Sequence, residues 1–393
     1  MRVGVAGTYG RFGICRGFVT ERVDLMSSNG NESVLLIIGN GFDLQCGLKS
    51  RYGDFFEWLK PKNTENDKRV YNNVWANYFL DSVLNKSTRV DGWKGIEDSL
   101  KDTLLRKSKS SNSSSVVEEW RKKVINHIEI QNDPKRACDS SSNKKDKSSL
   151  SIRRYIRENG EEESFINSSN DLYWFLDRLI DFESLFAEYL KEQMDNNRSY
   201  QSNVSKLIKL IVGGEDFSVI NFNYTNPFDS TPLSPTNVHG TLSDNNIIFG
   251  IDATNGSGLP PEARIFTKTH RKMLLNSPNS TLPTNITKIK FYGHSLGEAD
   301  YSYFQSIFDN YNLYGDDYNT LKRNSNNKKV VLQFYFTVLD KENRQSEERS
   351  AVEKVDKLIT SYGNTLDNKD KGKNLLHKLL LEGRVQIKFL PKL

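Results

Sequence analysis

Residues 34–38, VLLII, form an unbroken apolar run that ends on two glycines spaced by one residue, Gly39 and Gly41. Such a short, glycine-bounded run reads as a strand buried on both faces, the pattern of a parallel sheet. Gly39 and Gly41 permit a tight turn and let a ligand approach bare main chain. The spacing predicts a helix starting near Phe42, with its free N–H groups aimed above the turn. That arrangement suits the phosphates of a nucleotide. Asp43 follows, and then a third glycine, Gly47. A glycine turn after a strand says little alone; the motifs further along the chain decide how it is read.

Apolar residues recur at helical spacing after Gly47: Tyr52, Phe55, Phe56 and Leu59, then Val74, Tyr78, Phe79 and Val83. They predict two helices broken near Pro61, with a third over Trp93–Leu105. Between 107 and 170 the composition turns polar, with SKSSNSSS, DSSSNKKDKSS and ENGEEES, and a short helical piece around Val116–Ile130. Such a segment carries too little apolar surface to order itself fully and reads as a largely flexible insertion. A wide apolar stripe then predicts a core helix over Leu172–Leu190, and another follows over Val204–Val212. FSVINFNYTN, NNIIFG, ITKIKFYG, KKVVLQFYFTV and VQIKFL read as strands. Helices are predicted between most of them, at Tyr301–Tyr311, Arg349–Tyr362 and Asn374–Leu381. Strands alternating with helices predict a Rossmann-like α/β fold. The expected architecture is a doubly wound, mainly parallel sheet with helical insertions. One α/β domain is expected over 33–393, preceded by a polar accessory tail, 1–32.

Charge and cysteine usage narrow the function classes. The net charge is +5 and the isoelectric point about 8.8. This mild basicity leaves nucleic acid open as a partner without requiring it. No window approaches 18 apolar residues, so no transmembrane helix is expected. The N-terminus lacks the apolar core of a secretory signal, and Met26 offers an alternative start. Cys15, Cys46 and Cys138 are scattered with no CxxC pair, which fits a reducing cytoplasm and no structural metal.

Several predicted strands end in polar or glycine motifs: GNGFD at Gly39–Asp43, NFNYTN at Asn221–Asn226, VHG at Val238–Gly240, FGID at Phe249–Asp252 and GHSLGEAD at Gly293–Asp300. Ligands in doubly wound folds bind at the carboxyl ends of strands, so these motifs together predict a site. GNGFDLxxGLxxxYxxF, the Trp93/Ile96/Glu97 triplet, NFNYT, HG, FGID and GHSLGExDxxYF resemble, in order, the AbiH family of bacterial abortive-infection proteins. The resemblance runs from Val34 to about Phe308, omitting the polar insertion. It implies defence against bacteriophage in the cytoplasm, set off by a phage product of unknown kind.

The same motifs resemble, more distantly, sirtuin-like NAD-binding domains. Gly39, Gly41, Gly47 and Leu48 match the glycine turn, Asn223 the asparagine, and His239–Gly240 the HG pair. Phe249–Gly250 match the FG, and Gly293, Ser295 and Leu296 the G-S-L turn. This resemblance implies NAD as substrate or ligand, with no prosthetic group. It gives Asn223 and His239 the catalytic roles. Gly39, Asn40, Gly41, Phe42, Asp43, Gly240, Gly250, Gly293, His294, Ser295 and Asp300 would surround the nucleotide. Asp43 stands where that family has serine, and Thr225 where it has aspartate. Only eight residues separate Gly240 from Phe249, too few for the zinc module of deacetylases. Cleavage of NAD or binding of a nucleotide is therefore expected in place of deacylation. An effector that consumes NAD needs restraint, and a homo-oligomer is one form it can take.

Other readings stand beside these. Asp43 is also a plausible helix cap. Glu97 and Glu183 lie on amphipathic helices, where solvated or paired carboxylates are the rule. His377, in LLHKLLL, reads as a packing residue. GHSLG matches GxSxG, which would make Ser295 a hydrolase nucleophile. The only histidine after Ser295 is His377, placed in a helix. A nucleotide-binding or nucleic-acid-acting defence protein is the remaining alternative.

Overall fold

The computed structural model describes residues 33–80 (apart from 65, 72, 74 and 78), Ile96, Glu97, Leu100, 171–252 (apart from 230 and 232), 261–275, 282–315, 329–338 and 343–393. The polar insertion, the N-terminal tail, Trp93, Cys15 and Cys138 lie outside these residues. Strand β1, Ser33–Ile38, is fully buried from Val34 onward, as the apolar run requires. The others are β2, Phe217–Asn221; β3, Thr236–Asn237; β4, Ile286–Tyr292; β5, Val331–Thr337; and β6, Val385–Leu390. They form one sheet in the order β3-β2-β1-β4-β5-β6. Every pairing is parallel. This is the Rossmann order, and its topological switch lies between β1 and β4.

Helices cover both faces. Helix α1, Asn40–Gln45, follows β1; α2, Tyr52–Leu59, and α3, Lys68–Tyr71, come next. The long α4, Asp171–Asn196, leads to α5, Tyr200–Val212. Helix α6, Lys268–Leu274, precedes β4, and α7, Tyr301–Asn310, follows it. Helices α8, Arg344–Gly363, α9, Lys369–Lys373, and α10, Leu375–Leu381, join β5 to β6. One sheet face buries Ile37, Phe291 and Phe334 against α7, α8 and α10. The other buries Leu36 and Ile38 against α1 and α5. A third apolar body packs α2 on α4 above the strand ends, around Phe55, Phe182, Phe186 and Phe249. Each such ring removes a large apolar area from water, stabilising by about 2–3 kcal/mol.

Three expectations change. NNIIFG is not a strand: Ile248 donates to the carbonyl of His239, and Phe249 donates to the carboxylate of Glu183. Its main-chain donors are satisfied outside any ladder. The helix after β1 starts two residues earlier than Phe42 and spans six residues. His377 is exposed, while Leu375 and Leu379 of the same helix are buried, so the packing face passes it by. The helix expected from Trp93 shows within the described residues at Ile96, Glu97 and Leu100.

Candidate active site at the strand ends

Parallel pairing brings the motifs together. Asn221 of β2 registers with Asn237 of β3, and with Ile38 of β1. Asn223 and His239 lie two residues beyond the ends of β2 and β3, respectively. Val238 donates to Asn221 and Phe222 donates to Ile38, continuing the ladder to the edge. Asn221, buried, holds the turn: its amide donates to the Thr225 carbonyl at 2.7 Å, and its oxygen accepts from Asn223 N–H at 3.0 Å.

At this edge sits a group of buried charges. Asp300 Oδ1 lies 2.8 Å from Lys268 Nζ and 3.1 Å from His239 Nε2. Asp300 Oδ2 lies 3.3 Å from His294 Nε2. Lys268 Nζ also meets Glu97 Oε1 at 2.5 Å. All four partners of this chain of contacts, His239, Asp300, Lys268 and Glu97, are no more than 3% exposed. Burial pushes the Asp300 pKa up, but Lys268 and then His239 outweigh it and hold it well below the usual carboxylate range. Lys268 is cationic: burial works against its charge, and Asp300 and Glu97 more than restore it. Leu296 N–H donates to His294 Nδ1 at 3.0 Å, which turns Nε2 toward Asp300.

His239 is different. Its Nε2 faces Asp300 at 3.1 Å, and its Nδ1 has no hydrogen-bond partner among the described residues. Burial first, and Lys268 second, lower its pKa to about 4, so it is neutral at pH 7. Phe222, Tyr224 and Tyr303 enclose the ring. Asn223 is 1% exposed, and neither atom of its side-chain amide has a hydrogen-bond partner among the described residues. Leaving such groups buried and unpaired costs about 1–3 kcal/mol each.

The glycines have an internal reason. A Cβ on Gly39 would lie 2.7 Å from His294 Cα, and one on Gly41 the same distance from Gly293 Cα. Gly41 N–H donates to the Gly293 carbonyl at 2.7 Å. The close approach inferred for a ligand is made here by the chain's own main chain, in a seam across the topological switch. Gly293 has φ +71°, and a Cβ there would meet Phe42 N at 2.3 Å. Gly240 has φ +79°, a conformation that glycine tolerates best. Gly250 lies tightly against the Phe266 carbonyl.

The remaining predicted residues disperse. Phe42 is buried in the core, edge-on to Tyr292. Asp43 is buried inside α1, where it accepts from Tyr200 Oη at 2.7 Å and Thr225 Oγ1 at 2.6 Å. Gly39 takes the cap position, so Asp43 ties helix and turns together and caps nothing. Asn40 accepts from Ser50 Oγ at 2.5 Å. Asp252 of FGID accepts from Ser302 N–H and Oγ at the start of α7. Ser295 is exposed, and its hydroxyl accepts from Gly297 N–H at 3.3 Å. After Gly293, the left-handed residue of that turn is Leu296, φ 56°, not Ser295, and a 3-10 turn, Glu298–Asp300, precedes α7. A nucleophile elbow needs the serine on the strained position and the helix directly after it. The turn lacks both.

Lys268 and Arg271 were not singled out from the sequence. Both are buried on α6, and Arg271 forks onto the Glu183 carboxylate, with Nη2 2.7 Å from Oε2. Glu97 and Glu183 are thus paired, as their sequence context allowed, but in the interior.

The fold and site define a class: a Rossmann-order α/β protein with a buried polar cluster at its topological switch. The family model for bacteriophage abortive infection AbiH matches residues 35–316, well over half of the chain. The chain belongs to that family, which supports a role in abortive infection. No curated protein and no solved structure matches it. No helix among the described residues is long and apolar enough to cross a membrane. No group of three or more potential metal-binding side chains occurs among them.

Proposed function

We propose that this abortive-infection protein cleaves the nicotinamide–ribose bond of NAD, with Asn223 and His239 at the reacting end of the ligand. One observation carries the reading. The Asn223 side-chain amide and His239 Nδ1 are buried without a hydrogen-bond partner among the described residues. Native folds rarely keep such groups without a use for them.

The reaction suits these groups. The bond from ribose C1′ to the pyridinium nitrogen breaks, and its electron pair neutralises the leaving nicotinamide. Water adds its oxygen to C1′ and releases one proton. The cationic leaving group needs no acid. With its pKa lowered to about 4 by burial, His239 is a weak base for water. Its open Nδ1 is an acceptor, so His239 orients a ribose hydroxyl or the water. The Asn223 amide supplies a donor and an acceptor to the same end. Positioning of reacting groups can take about 7–11 kcal/mol off a barrier.

The test follows cellular NAD in bacteria expressing the wild type or Asn223→Ala, challenged with phages that provoke growth arrest. NAD is expected to fall at least tenfold with the wild type and to hold steady with Asn223→Ala. Arrest by the wild type at constant NAD overturns the proposal.

A further inference from the structure

The seam between Gly41 and Gly293 has a second side. There, among the described residues, a groove of about 580 Å³ opens at the carboxyl ends of β1, β4 and β5. Its walls include Tyr292 and Tyr335, which belong to the sheet face under α5. His294 packs instead on Phe222 and Phe304, toward the opposite face. The groove and the buried cluster are therefore separated by the Gly41–Gly293 main-chain contact.

Three cations converge on the groove from distant parts of the chain: Lys49 and Arg51 after α1, and Lys392 after β6. The tail carrying Lys392 is held there by Gln45, whose side-chain amide donates to the Pro391 carbonyl at 3.1 Å. None of the three makes an ion pair among the described residues, and one carboxylate, Asp54, shares the lining. Leu44 and Leu48 supply apolar wall, and Tyr292 Oη lies 2.6 Å from Thr337 Oγ1 in the lining. The volume matches that of small-ligand sites, about 300–1,000 Å³. Unpaired cations around a part-apolar hollow fit a ligand with one anionic end and one flat, weakly polar end.

We propose that this groove binds a nucleoside phosphate, at a site separate from the Asn223–His239 cluster. Lys49, Arg51 and Lys392 take the phosphates, and the Leu44–Leu48–Tyr335 side takes the base. The site does not depend on the chemistry of the buried cluster. A ligand there rests on the same main-chain seam that closes over that cluster.

Calorimetric titration of the full chain at low salt with AMP, ADP, ATP and inorganic phosphate tests this. At least one nucleotide is expected to bind, and at least tenfold more tightly than phosphate alone. Lys49→Ala/Arg51→Ala, and separately Lys392→Glu, should each weaken it about tenfold or more. These residues are exposed, so unchanged melting temperatures confirm that the variants fold. Asn223→Ala should bind as the wild type does. Binding of no nucleotide, equal binding of phosphate, full retention in the groove variants, or loss in Asn223→Ala alone each overturns the proposal.

Discussion

The two sides of the glycine seam use charge in opposite ways. On one side, Lys268, Asp300 and Glu97 are sealed from water, and each charge is held by a partner within 2.8 Å. On the other, Lys49, Arg51 and Lys392 stand in solvent without ion pairs among the described residues. Buried charges exist at the expense of desolvation, so they fix geometry and tolerate no loss of a partner. Exposed charges cost little and are free to receive a ligand, but salt screens them within about 10 Å. The comparison separates the part of the molecule that is built rigidly from the part that is left available.

The sharpest way to break this contrast is Lys268→Met, which strands two carboxylates in the interior. A loss of about 3–5 kcal/mol is expected, read as a fall in the denaturation midpoint. A loss below about 1 kcal/mol would show that water reaches the cluster.

Next in size is a pair of opposing pH effects. Burial raises the Asp43 pKa from 3.8 to about 6, against hydrogen bonds from Thr225 and Tyr200. The folded state then holds a proton that the unfolded chain releases, so this contribution to stability falls as pH rises from about 4 to 6. His239 shifts the other way, from 6.5 to about 4. The unfolded chain takes a proton that the folded state refuses, so its contribution is lost as pH falls from about 6.5 to 4. Each amounts to about 3 kcal/mol, and in the wild type they largely cancel. Asp43→Asn should therefore lose stability on acidification across this window, and His239→Gln should gain it. Denaturant titrations at pH 4, 5 and 6.5 read both slopes; parallel slopes in the two variants would contradict the assignment.

The seam itself comes third. Gly41→Ala forces a methyl to 2.7 Å from Gly293 Cα and should cost about 1–3 kcal/mol by thermal or denaturant unfolding. The smallest effect belongs to the groove. Lys49→Gln/Arg51→Gln should change stability by less than about 0.5 kcal/mol, since neither side chain is paired within the described protein. A larger change would mean that these cations support the fold and are not held in reserve.

Much of the frame was legible in particular residues. VLLII, ITKIKFYG and KKVVLQFYFTV are rich in β-branched, aliphatic and aromatic residues, and each contains an observed strand. The polar motifs were legible as well, and Asn223 and His239 each lie two residues beyond a strand end. NNIIFG misled because its pattern is that of a strand, whereas the Glu183 carboxylate and the His239 carbonyl take its donors. Lys268 was invisible, because nothing local distinguishes a lysine that faces Asp300 from one that faces water.

By itself, then, the sequence determined what depends on near neighbours: where strands and helices run, where glycine is tolerated in a turn, and which family the ordered motifs belong to. Only the tertiary structure decided the strand order, the burial of Lys268 against Asp300 and Glu97, the glycine seam and the meeting of Lys392 with Lys49 and Arg51. The physical reason is range. Periodicity and turn chemistry act over a few residues, whereas burial, ion pairing and groove formation depend on contacts between segments that only the completed sheet brings together.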